Sequence, residues 1–231
     1  MPGPQHTEPI PGVLPFTPGN GPEWPDAPPP GPPWHCRVDA LVWWYPAPRA
    51  ARRALPDNLA HRRLLPVAVG MWLRYLDSPV GRYDEVAASP ALLADPLPHG
   101  HVPFIAVDSA TSVRAGREHW ALPKTRARFE GDPGGSEPLR AAGDGWRVEA
   151  RPRPRGPRVP LRLAWATVQE HADGTLSRTG LRLAGRGRAA GLPVSVTGPH
   201  ALTDWFRGGR HRAVQFTDAH LTVLPPRPVR D

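Results

Sequence analysis

Of the 29 basic residues in this chain, Lys124 is the one lysine and the others are arginine. A guanidinium stays charged in any protein environment, whereas an ammonium can lose its proton when buried. Lys124 is therefore the one member of that set that can become a neutral amine nucleophile and condense with a carbonyl carbon. An arginine bias this strong, with abundant alanine, glycine and proline, is what a GC-rich codon supply produces where positive charge alone is wanted. A lysine kept against that drift is a candidate for work arginine cannot do. The alternative is a lysine left on the surface by chance, and its surroundings have to decide between the two.

Other combinations are weaker. His99, His101 and His119 lack the helical spacing of a metal pair, and no set of cysteines accompanies them, so no metal or other cofactor is expected. Asp108-Ser109 has neither a Gly-x-Ser-x-Gly elbow nor ordered partners, which argues against a hydrolase triad. Cys36 is the single cysteine, so no internal disulfide can form, and a cytoplasmic location is the default expectation. No apolar run is long enough to cross a membrane, and none resembles an export signal. The net charge of +8 raises the question of nucleic acid. Its densest cluster, Arg151, Arg153, Arg155 and Arg158, alternates with proline and glycine and reads as a solvated loop, so no nucleic-acid partner is expected.

The elements that must hold Lys124 are mostly strands. Residues 1–33 are dominated by proline and glycine and are expected to be disordered or draped over the surface, leaving 34–231 as one domain. Past that segment, 41–45, 67–76, 102–107, 146–150, 159–168, 193–197 and 214–224 are short apolar or alternating runs between turn signals. Two short helices are predicted. One covers Pro48 to Leu55, and the other, Ala201 to Arg207, puts Leu202, Trp205 and Phe206 on one face before Gly208-Gly209. The pattern predicts a mainly β (α+β) single domain: a closed or strongly curved antiparallel sheet with a few short peripheral helices.

Around the lysine the chain reads Gly116-Arg117-Glu118-His119-Trp120-Ala121-Leu122-Pro123-Lys124-Thr125. This resembles the signature of the acetoacetate decarboxylase-like family, in which a Gly-Arg-Glu stretch leads through an aromatic and apolar segment to Pro-Lys. Tyr83-Asp84-Glu85 is similar to the family's Tyr-x-Glu element, and Glu85 stands 39 residues before Lys124, in the family's spacing. Arg37 matches the arginine of the family's first long strand. The likeness covers roughly 34–129.

The resemblance implies the family's β-barrel-like fold, a homo-oligomer, and a lyase that forms a Schiff base between Lys124 and a small keto acid. Glu85 would position the substrate or move a proton. Arg37 would grip a carboxylate through paired hydrogen bonds or pair with an acid to fix the site. Trp120, Leu122 and Met71 would wall the pocket, with Tyr83 and Thr125 beside them. Thr125 and Met71 depart from the pattern, since the type member carries a second lysine after the nucleophile and an acid on the preceding strand. Burial in an apolar site can favour the neutral amine without that second cation. The departures leave three functions open: decarboxylation of a β-keto acid, aldolase, dehydratase or cyclase use of the same imine on a pyruvate-like acid, and ligand binding without turnover.

Overall fold

The computed structural model describes residues 27–94 and 97–229. Strand β1 (Trp34–Tyr45) sets the pattern of the whole. Its even-numbered residues Cys36, Val38, Ala40 and Val42 enter one apolar cluster, while Leu41, Trp43 and Tyr45 enter another. Alternating side chains of an extended chain point to opposite faces, so two cores form on the two sides of one sheet.

A 3-10 turn at Arg49–Ala54 and helix α1 (Asp57–Ala60) lead to β2 (Arg63–Asp77), β3 (Tyr83–Ala94), β4 (Leu97–Gly100) and β5 (Phe104–Val107). Helix α2 (Ala110–Trp120) precedes β6 (Lys124–Arg126), β7 (Arg128–Glu130), β8 (Leu139–Gly143) and β9 (Trp146–Ala150). The long hairpin β10 (Arg153–Glu170) and β11 (Leu176–Thr197) follows, then α3 (His200–Thr203), β12 (Gly209–Val223) and β13 (Arg227–Pro228).

Neighbouring strands run β10-β4-β3-β2-β1-β12-β11, and β11 pairs back onto β10, so the sheet closes into a ring. The β4–β10 contact is a single parallel bridge, Thr167 to Gly100. Short strands branch outward, with β7, β8 and β9 continuing from β11 over the outer core, while β5 and β6 extend from β3. The result is the mainly β, curved single sheet the pattern predicts. No helix among the described residues is long and apolar enough to cross a membrane.

Several elements differ from expectation. The segment at Pro48 to Leu55 is a 3-10 turn. The predicted helix at Ala201 to Arg207 is a single turn, although Leu202, Trp205 and Phe206 are all buried as that face required. The arginine cluster lies largely within β10, and its irregular run coincides with a register shift between Arg155 and Val159, where prolines are tolerated. Helix α2 carries no strong sequence signal. Its stop residue is Ala121 in the left-handed region (φ 52) where glycine is usual. Residues 1–26 of the proline-rich segment lie outside the described residues.

Candidate active site

Helix α2 begins at Ser109, whose hydroxyl accepts a hydrogen bond from the Ser112 amide, a capping arrangement that satisfies an otherwise orphan donor. At its other end the Gly116 carbonyl accepts from the amides of Ala121 and Leu122. The Arg117 Nε donates to the Lys124 carbonyl at 2.8 Å. Helix, turn and β6 are thereby tied into one unit, and the Lys124 side chain runs back across α2. It passes Gly116 so closely that a Cβ there would meet Lys124 Cδ at 2.5 Å.

The lysine reaches the inner face of the ring. Lys124, Ile105, Ala87, Met71, Val42 and Val214 stand in register across β6, β5, β3, β2, β1 and β12. Its Nζ donates to Glu85 Oε2 at 2.7 Å and to Ser112 Oγ at 2.9 Å, and lies 5.4 Å from the centre of the Tyr83 ring. Lys124 and Glu85 are each 4% exposed and Ser112 is fully buried. Tyr75 donates a long hydrogen bond, 3.4 Å, to the other Glu85 oxygen and stacks on Tyr83 with ring centres 4.0 Å apart.

Three further groups take their character from this burial. Desolvation, reinforced by the Glu85 carboxylate, raises the phenols of Tyr75 and Tyr83 well above the ordinary tyrosine value. The Cys36 thiol is pushed up to about 12, mainly by burial and then by Glu85, so it remains a neutral wall of the site. What the sequence supplies here is one amine and one carboxylate hydrogen-bonded to each other in a buried site.

The structure thus brings together Lys124, Glu85, Tyr83 and Met71. Leu122 is partly buried and packs against the same inner cluster. Trp120 belongs to that cluster too, held by a hydrogen bond from its Nε1 to the Leu224 carbonyl and by an edge contact with Trp34.

Two expectations need correction. Thr125 stands in register with Ala106, a member of the outer core, because the residue after Lys124 in a strand points to the opposite face. Arg37 alternates with Cys36 and Val38 and therefore faces outward. Its side chain is 51% exposed and its guanidinium pairs with Asp218, so it does not join the site.

Ser112 is a contact of the Lys124 amine that the sequence did not announce. The signal available was the spacing of Ser112 and Gly116, two small residues four apart that share one helix face. Tyr75 and Cys36 were missed as well: Tyr75 reaches Glu85 across the β2–β3 pairing, and Cys36 joins the same inner cluster from β1, neither of which alternation along a single strand discloses. A cleft of about 780 Å³ adjoins the lysine segment, lined by His101, Arg117, Leu122, Pro123 and Gln169 among others, but Lys124 is not one of its walls. No three His, Cys, Asp or Glu residues among those described are grouped to hold a metal ion.

The family model described as acetoacetate decarboxylase (ADC) matches residues 15–186. Among solved structures, the chain is similar to an acetoacetate decarboxylase from Legionella pneumophila subsp. pneumophila str. Philadelphia 1, at 19% identity and a TM-score of 0.62, with 92% of each chain covered. It is similar to the enduracididine biosynthesis enzyme MppR complexed with pyruvate at 18% identity and a TM-score of 0.59, over 89% of this chain and 93% of that one. An acetoacetate decarboxylase-like enzyme from Sphingomonas wittichii RW1 matches at 14% identity and a TM-score of 0.59, over 86% and 93% respectively. At these identities the structural likeness is one of fold. No curated protein matches the chain.

Proposed function

Because the chain belongs to the acetoacetate decarboxylase (ADC) family, we propose that it is a lyase that decarboxylates a small β-keto acid through a Schiff base on Lys124. The observation that carries this reading is the buried 2.7 Å pair of Lys124 and Glu85 on the apolar inner face of the ring. Glu85 takes the ammonium proton, and the neutral Nζ attacks the ketone carbon. A C–N bond forms while the carbonyl oxygen collects a proton. The resulting carbinolamine loses water to give a protonated imine.

The bond from the α-carbon to the carboxylate then breaks. Its electron pair moves into the imine, giving an enamine and carbon dioxide. The α-carbon takes up a proton, for which the Glu85 carboxyl is the nearest donor, and water returns the ketone and the free amine. One proton is consumed for each carbon dioxide released. Ser112 Oγ holds the amine from its other side and so fixes the direction of attack.

The surroundings favour loss of the carboxylate over its retention. The residue expected to clamp it, Arg37, is engaged with Asp218 on the outer face. A substrate carboxylate at Lys124 would stand beside Glu85 and apolar walls, where a charged ground state is disfavoured relative to a transition state that disperses the charge.

The test is to incubate the full chain with acetoacetate, trap with borohydride, read the intact mass and measure carbon dioxide. A reduced adduct on Lys124, absent in Lys124→Arg, together with carbon dioxide release, is the expected result. An adduct without carbon dioxide, with exchange of pyruvate α-protons, would move the chain to aldolase or dehydratase chemistry. No adduct with any keto acid would leave a binding role.

A further inference from the structure

The cleft beside the lysine segment has a volume of about 780 Å³, within the range of small-molecule sites. Leu55, Pro56, Pro103, Leu122 and Pro123 give it apolar walls. It lies apart from the proposed reaction, since Lys124 is not one of those walls.

Five charged side chains also line it: Arg53, Arg117, Glu118, Glu170 and Asp173. Three of them are engaged by neighbours. Arg53 pairs with Asp204 at 2.6 Å, Glu118 accepts from Arg114 at 2.7 Å, and Asp173 accepts from the hydroxyl and the amide of Thr175. One cation and one anion remain.

Arg117 is half-buried, and among the described residues its side chain makes one hydrogen bond, from Nε to the Lys124 carbonyl. Its terminal nitrogens face no acid within ion-pair reach. Burial lowers the guanidinium from its ordinary value, and no carboxylate offsets that. Glu170 is also half-buried, its carboxylate has no ion pair among the described residues, and its Oε2 is buried without a hydrogen-bond partner. The two residues do not pair with each other. A partly buried charge without a counter-charge is costly, so each is complementary to an opposite charge brought by a ligand.

We propose that this cleft binds a zwitterion with an apolar body, a free apolar amino acid or a dipeptide of such residues. Its carboxylate lies on the terminal nitrogens of Arg117, its ammonium on Glu170, and its side chain against the proline and leucine walls. A guanidinium fork suits a carboxylate through paired hydrogen bonds, and taking the terminal nitrogens leaves Nε on the Lys124 carbonyl. A ligand carrying only one of the two charges leaves the other protein charge uncompensated.

The experiment is calorimetric titration of the full chain, without any keto acid, using leucine and leucyl-leucine together with the N-acetylated and C-amidated forms of each. Saturable binding of a free form is expected, with each blocked form weaker by about 10- to 100-fold. Tighter leucine assigns the site to the amino acid, and tighter leucyl-leucine assigns it to the dipeptide. Glu170→Gln should shrink the preference for the free over the N-acetylated form, a ratio insensitive to the amount of active protein. Ala172→Trp, at an exposed turn residue that lines the cleft, should abolish binding and leave the urea midpoint unchanged.

No saturable binding of either free form, equal binding of the blocked forms, or an unchanged preference in Glu170→Gln overturns the site. Binding that survives Ala172→Trp puts the ligand elsewhere and overturns it too. None of these results bears on borohydride trapping at Lys124, so the Schiff base and this site stand or fall separately.

Discussion

Gly116 and Glu85 set the lysine's position and charge environment from opposite sides. A methyl group at 116 would occupy the path of the Lys124 side chain, so Gly116→Ala should push the amine away from Glu85 and Ser112. We expect the variant to fold with a loss of about 1–3 kcal/mol, as for other overpacked sites. Its rate of borohydride trapping should drop much more than its unfolding midpoint. Lys124→Ala poses the converse problem, because it leaves the Glu85 carboxylate buried without its cation at a cost of about 3–5 kcal/mol. Adding Glu85→Gln to that variant removes the stranded charge. Urea midpoints should therefore rank wild type highest, the double variant next and Lys124→Ala lowest.

Helix α2 supplies two residues to the amine through one face, so its integrity should be felt in catalysis. Ser109→Ala removes the cap and should cost about 0.5–2 kcal/mol of stability, with kcat reduced as the first turn and Ser112 loosen. The far end offers the reverse change. Ala121 occupies the left-handed region at φ 52, ψ 27, where a Cβ is strained and glycine is not. Ala121→Gly should thus raise stability by about 0.5–1 kcal/mol in thermal or urea unfolding. The strands contribute differently, since each offers alternate residues to two cores, and Glu85 enters the inner one only because β3 pairs with β2 in the register that sets it opposite Leu73.

Closure of the ring depends on more than the single β4–β10 bridge. Gln169 at the end of β10 exchanges hydrogen bonds with both backbone groups of Val102. The His101 Nδ1 lies 3.0 Å from the Val168 carbonyl, to which it donates as a neutral imidazole. Burial lowers His101 to about 4 from an ordinary histidine value of 6.5. Between those values the unfolded chain binds a proton that the folded one refuses. Stability from this residue is therefore whole above about pH 6.5 and is lost as the pH falls toward 4, by about 3 kcal/mol in all. Urea midpoints measured from pH 7 to pH 4.5 should decline more steeply in the wild type than in His101→Gln, and a parallel decline would remove this residue from the account.

The chain's own order of residues determined that the protein is mainly β, that Lys124 is its one candidate amine nucleophile, and that Glu85 stands at the family's distance from it. These were legible because alternation and the Gly-Arg-Glu to Pro-Lys run are local, and because 28 of 29 basic positions had gone to arginine. Helix α2 was not legible, since an alanine closes it where a glycine would have announced the end.

Arg37 and Thr125 were misplaced for a different reason. Spacing along the chain places a residue on a strand, but the face it takes depends on that strand's register with its neighbours, and a shift of one residue reverses it. Ser112 meets the lysine, Tyr75 meets the glutamate and Cys36 joins their cluster only after a helix and two strands have packed together. Burial and close approach are properties of that packing, so the tertiary structure alone decided which side chains surround the amine.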